Sequence, residues 1–238
     1  MVFYVLFMPL FLGLGYWQLN RAQEKAEQQV SYSARMAADP ISLEQAADQP
    51  GYQKVSLLGR YDTRHHFLLD NRIHQGHAGY EVISPFLLDK TVYIDGSEGL
   101  TAVDYVWVNR GWLAMGRSRE ELPEITTPME RAELQAIIDP GAGKGLVLKE
   151  SRYSQRWPKV IQRVDIPRMV DQLGVEQPGA AFAVMVRIDR DSPGAFTAIW
   201  KPVIMRAEKH LGYALQWFSM SAALTILYFF ATFKRVKN

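Results

Sequence analysis

A histidine opens the run His210–Phe218 (HLGYALQWF), with Tyr213, Gln216 and Trp217 close behind it and an apolar stretch continuing to Phe233. An imidazole can ligate haem iron or exchange a hydrogen bond with a partner, and a phenol, an amide and an indole can hold such a ligand in place. On a helix, His210, Ala214, Trp217 and Ser221 share one face, while Tyr213, Gln216 and Met220 share the adjacent one. Aromatic anchoring at a membrane boundary accounts for Tyr213, Trp217 and Phe218 and leaves the imidazole and Gln216 unexplained. The candidate cofactor-binding residues here are His210, as an axial iron ligand, with Tyr213 and Trp217.

Trp17, Gln18 and Arg21 form a similar boundary group near the other end of the chain, with Gly13 small enough for a second helix to approach. With Gln216 and Phe218 they are candidate partner or membrane-boundary residues. In the plainer reading the two apolar segments pack as a hairpin and these polar groups satisfy one another. A third group lies in the middle, at Val108-Asn109-Arg110-Gly111-Trp112. Strict alternation places Val108, Arg110 and Trp112 on one face and Trp107, Asn109 and Gly111 on the other. Arg110 beside Trp112 could then bind a carboxylate, such as a haem propionate or an acidic partner group, under the shelter of the indole. The plainer alternative is a strand at the core's edge, with Asn109 and Gly111 forming a turn or bulge.

Other chemistry is poorly represented. The chain has 238 residues, a formal net charge of +2 and no cysteine. That excludes disulfides, thiol nucleophiles and zinc–thiolate, copper–thiolate or iron–sulfur sites. The mixed charge carries no nucleic-acid footprint. No phosphate-cradling loop, HExxH or G-x-S-x-G occurs, so no catalytic residue and no metal site is assigned and an enzyme is not expected. Gly141-Ala142-Gly143-Lys144-Gly145 lacks the spacing of a phosphate loop and reads as a surface turn. His65 and His66 would point to opposite faces of a strand, and His74 and His77 lie in a Gly-rich turn where a two-His metal site is the alternative to the commoner solvated reading.

Positioning these residues falls to two spans and a domain between them. Residues 2–19 are apolar except for Gln18 and form a first transmembrane helix, read as an uncleaved anchor because no basic n-region or small-residue cleavage site accompanies them. Residues 20–50 form a helical linker. Residues 51–205 form a β-rich domain, residues 210–233 a second transmembrane helix of about 35 Å, and residues 234–238 a basic tail. Lys234, Arg235 and Lys237 favour cytoplasmic termini, although Arg21, Lys25, Lys201, Arg206 and Lys209 flank the spans on the opposite side. The domain holds about seven or eight short strands in roughly 150 residues, enough for its own core. They include GYEVISPFLL and TVYIDG as separate runs, RAELQAIIDP, GLVLKES and AFAVMVRIDRD, with VDIPRMVDQLG as a short helix ending at Gly174. The expected fold is two transmembrane helices flanking a mainly antiparallel β domain, barrel-like or sandwich-like, with one or two short helices.

An ordered set of motifs resembles a known family. Gly15-Tyr16-Trp17-Gln18 with Arg21 is similar to the LGxWQxxR signature closing the first span of the Surfeit-locus cytochrome c oxidase assembly proteins. Gly59-Arg60-Tyr61, Gly76-His77-Ala78-Gly79-Tyr80 with Pro85, Val108–Trp112 and His210–Phe218 resemble its later elements, in the same order and over nearly the whole chain. The sequence departs from the pattern at its start, which lacks the usual basic residues and leaves open a true start upstream. It departs again at Leu113-Ala114, where Val-Pro is common. The resemblance implies an assembly factor in the bacterial plasma (inner) membrane with its central domain in the periplasm. Its implied partners are haem-copper oxidase subunits, mainly the largest, with haem-synthesis enzymes and membrane lipid. The implied cofactor is at most transiently bound haem.

Overall fold

A computed structural model describes residues 2–47, 49, 51–96, 99–116, 121–139, 154–174, 181–200 and 207–236. They fall into two units, residues 1–34 with 202–238, and residues 35–201.

The first unit contains a helix pair. α1 spans Val2–Ala37 and α4 spans Ala207–Val236. Each contains a stretch long and apolar enough to cross a membrane. Along α1 the covered positions include Tyr4, Met8, Phe11, Gly15, Gln18 and Ala22, alternating by four and three; on α4 they include His210, Ala214, Trp217 and Ser221. That 3.5-residue spacing keeps one seam facing a partner helix. The pairing is antiparallel, because Tyr4 stacks on Tyr228 at 4.4 Å, Phe11 lies 5.7 Å from Trp217, and Gln18 meets His210. Charged residues carry α1 beyond the apolar stretch, with exposed pairs such as Arg21–Glu24 and Gln23–Glu27.

The second unit is a closed five-stranded barrel with additions. Its strands are β1 (Lys54–Tyr61), β3 (His77–Gly96), β4 (Gly99–Ala114), β5 (Ala132–Asp139) and β7 (Ala181–Ile188). They run in the order β1–β5–β7–β4–β3, and β1 pairs again with β3 to close the ring. β2 (Phe67–His74) and β6 (Lys159–Ile161) extend the sheet sideways from β3. Alternation fills the interior: Val55, Leu57 and Tyr61 from β1 meet Phe86, Val106, Val108, Leu134, Ala136, Ile138 and Val186. The short helix α2 (Leu43–Ala47) adds Leu43 and Ala46 to this cluster. Gly59 sits at the seam, opposite both Leu88 and Ala132. A Cβ there would stand 1.9 Å from the Leu87 carbonyl oxygen, so the ring closes only around a glycine.

A second cluster lies between α3 (Ile166–Leu173) and the sheet, where Met169 and Val170 pack with Phe67, Leu69, Ile83 and Trp107. Asp165 caps α3, accepting from the Arg168 N–H, and Gly174 ends it in the left-handed conformation. Three differences from the sequence reading have physical causes. GYEVISPFLL and TVYIDG form one strand of 20 residues, because β4 pairs along both halves and absorbs the polar stretch between them as an irregularity. The domain is mainly antiparallel, yet β4–β7 and β2–β6 are parallel. β6, only three residues long, carries too little pattern to be read in advance. The GLVLKES run and the Gly141–Gly145 turn lie outside the described residues.

Candidate functional site

Two buried polar arrangements stand out, one in each unit. In the helix pair, His210 is 8% exposed and its Nδ1 lies 2.7 Å from Oε1 of Gln18. An amide oxygen only accepts, so in this contact Nδ1 is the donor. Nε2 is buried and without a hydrogen-bond partner among the described residues. An imidazole oriented through Nδ1–H presents Nε2 as the nitrogen open to a metal or a further hydrogen bond.

The helices approach closely at this level. A Cβ on Gly15 would stand 2.7 Å from the Phe218 ring, whereas Gly13 has nothing within 4 Å. The small residue that admits the second helix is therefore Gly15, since the seam spacing turns Gly13 outward. Trp217 is half-buried against Phe11, and its carbonyl accepts a bond from the Ser221 hydroxyl. Trp17 and Tyr213 are more than half exposed and Gln216 points outward, as interfacial anchors do. Arg21 is occupied by Glu24.

Arg110 belongs to the barrel unit and is 1% exposed. Its Nε donates to Gly194 O at 2.7 Å, one terminal nitrogen to Thr127 Oγ1 at 2.8 Å and the other to Thr126 O at 2.6 Å. The rings of Tyr61 and Phe196 flank the guanidinium, with centroids 4.9 and 4.6 Å away. Trp112 instead packs on His74 and donates to Arg72 O. The alternation that would join Arg110 to Trp112 breaks at a bulge, because Glu81 pairs with Trp112 and Ile83 with Asn109. Gly111 makes that bulge, at φ +103 and with room for no Cβ beside Thr197 O at 2.7 Å. Past it the chain pairs with a returning segment through Phe196 N to Arg110 O and Trp112 N to Thr197 O.

Burial lowers the Arg110 guanidinium to about 10 and raises the Tyr61 phenol to about 12. His66 joins the same network, bonded to Ser84 Oγ at 2.9 Å and Thr127 Oγ1 at 3.3 Å. Burial, then the neighbouring Arg110 charge, depress its imidazole to about 4, so it is neutral at pH 7. His65 is occupied by Asp62. Sequence reasoning missed Tyr61, His66, Thr126, Thr127 and Phe196 as partners of Arg110. It also missed the ionic group in which Arg187 bridges Glu81 and Asp139, each at 2.8 Å. Among the described residues, no three His, Asp or Glu side chains gather in a metal-binding group.

The class these features define is a β-barrel domain carried between two apolar helices, consistent with a membrane protein. Residues 5–222 match the SURF1 family, and the chain belongs to it. It is 24% identical to Surfeit locus protein 1 of Arabidopsis thaliana over 98% of this chain and 77% of that protein. SURF1-like proteins of Rickettsia bellii and Drosophila melanogaster are each 24% identical, over 90% and 98% of this chain and 83% and 78% of their own lengths.

Proposed function

We propose that this protein is a non-enzymatic assembly factor for a haem-copper terminal oxidase, acting on the largest subunit around the time haem is inserted. Membership in the family supports the general role. The observation that carries the finer one is the part-buried Gln18–His210 pair, an imidazole oriented by a second helix with its other nitrogen free of partners among the described residues. In this reading the chain lies in the plasma membrane with both termini cytoplasmic and the barrel periplasmic. A periplasm-dependent reporter fused after Asn238 then stays silent.

The orphaned Nε2 also favours a second reading, in which the protein itself holds haem in transit. His210 would be the axial ligand, Gln18 would orient it through Nδ1–H, and Trp217 would lie two seam positions along. Haem bound there supplies the iron centre the oxidase requires; the chain's residues hold and release it. Ligation requires that whatever covers Nε2 give way, since the atom is buried.

Deleting the gene tests the assembly role: oxidase haem content and activity should fall with transcript unchanged, and fully haem-loaded oxidase in the deletion strain would remove the proposal. The ligand role is tested by purifying the full chain in detergent after co-expression with haem synthesis. The Soret spectrum should change in His210→Ala, and an identical spectrum would sink it.

A further inference from the structure

Arg110 is a buried cation with no carboxylate among the described residues to balance it. Its charge is met only by neutral oxygens and two ring faces, although a guanidinium fork matches a carboxylate best. The two oxygens at the fork's end come from consecutive residues, Thr126 O on one nitrogen and Thr127 Oγ1 on the other. Together they occupy the place the two oxygens of a carboxylate would take. The guanidinium also lies over the rings of Tyr61 and Phe196, and Gly194 O accepts from Nε, so the fork is held in one orientation.

Thr126 and Thr127 lie on residues 121–130, which run across the domain without helix or strand. Among the described residues no backbone hydrogen bond ties this strap to a strand. Leu122 and Ile125 rest on the apolar cluster of Leu68, Tyr80 and Val82, and the Arg110 bonds add the polar fastening.

We propose that the Arg110 fork is a carboxylate-binding site that the chain keeps filled with its own strap, and that an incoming carboxylate takes the fork as the strap lifts. The inference deepens the proposed role, on which it rests for the identity of the ligand. A haem propionate and an acidic side chain of a client polypeptide share the required chemistry.

The absence of cysteine makes a direct test available. A single Ile125→Cys substitution in the full chain places a thiol on the strap where Ile125 packs, partly buried, on the Leu68 cluster, and the rise of its maleimide labelling above the basal rate reads strap opening. At a probe concentration about ten times its Kd for the lifted form, a ligand that binds only that form raises the lifted population, and the labelling that passes through it, about tenfold while that form stays a minor one. Three probes are compared: hemin, hemin dimethyl ester and a blocked triglutamate peptide. Acceleration by hemin but not by its ester assigns the site to a propionate, and acceleration by the peptide assigns it to a polypeptide carboxylate. No acceleration by either carboxylate, or equal acceleration by the ester, overturns the proposal. Thr127→Val removes one strap oxygen without touching Arg110 and should raise the basal rate. Arg110→Lys, which keeps the charge and loses the fork, should abolish the response if it folds. A deletion strain that loses oxidase haem while the thiol stays inert to every probe overturns the strap site and leaves the assembly role standing.

Discussion

Replacing Gly15 with Ala should loosen the helix pair, by an amount that depends on one ring. The added Cβ would stand 2.7 Å from Cε1 and Cζ of Phe218, at least 0.7 Å inside the 3.4 Å at which ordinary contact begins. In a bilayer the separated helices stay helical, so the usual preference of about 1 kcal/mol for Ala over Gly in a helix cancels from the pairing equilibrium. What remains is crowding, about 1–3 kcal/mol, or roughly a 5- to 150-fold change in pairing. Cysteines in place of Tyr4 and Tyr228, whose rings stack at 4.4 Å, can be joined by a short bismaleimide in this cysteine-free chain. The rate of that cross-link in membranes follows the effective concentration of the two thiols, which follows pairing. Gly15→Ala should lower it while Phe218 is present and leave it nearly unchanged with Phe218→Ala. An equal effect in both backgrounds would refute packing of α1 on α4 at Phe218.

Two further outcomes concern the barrel unit. Gly111→Ala forces a side chain into φ +103 against Thr197 O, which should cost about 3 kcal/mol and lower the domain's thermal midpoint by several degrees; an unchanged melting curve contradicts the bulge. His66 should make stability fall on acidification. Its folded pKa of about 4 lies below the unfolded value near 6.5, so the unfolded state takes up the proton first and stability drops as pH falls from about 6.5 to 4. The loss approaches about 3 kcal/mol, and His66→Gln should flatten this part of the urea-midpoint profile relative to wild type.

Local signals in the sequence led to correct elements where the chemistry was local. Asp165, Pro167 and Gly174 bound α3 through a cap, a fixed φ and a left-handed end, all within the helix's own neighbourhood. The two apolar runs marked α1 and α4, and the hairpin reading anticipated that Gln18 and His210 would satisfy one another. Barrel closure was not legible, because it depends on β1 pairing with both β3 and β5 and on β7 lying parallel to β4, and strand patterns do not encode pairing partners. The surroundings of Arg110 were hidden for a related reason. Tyr61, Thr127 and Phe196 are far from it in sequence, and a single bulge at Gly111 redirects every side chain beyond it. His65 and His66 read as pointing to opposite faces of a strand, and nothing in that pair shows which ring faces Ser84.

The order of strands in the barrel also constrains when its wall can form during synthesis. β1, β3, β4 and β5 are complete by Asp139, but the gap between β4 and β5 is filled by β7, which ends at Ile188. Until then the nascent sheet is a trough with its apolar lining open along one side, the condition in which chains are most prone to aggregate. Once β7 is inserted, fewer than 20 residues separate it from α4, which starts at Ala207. The last stave and the second apolar helix are therefore made close together, so a chain stalled or truncated before residue 181 would lack both.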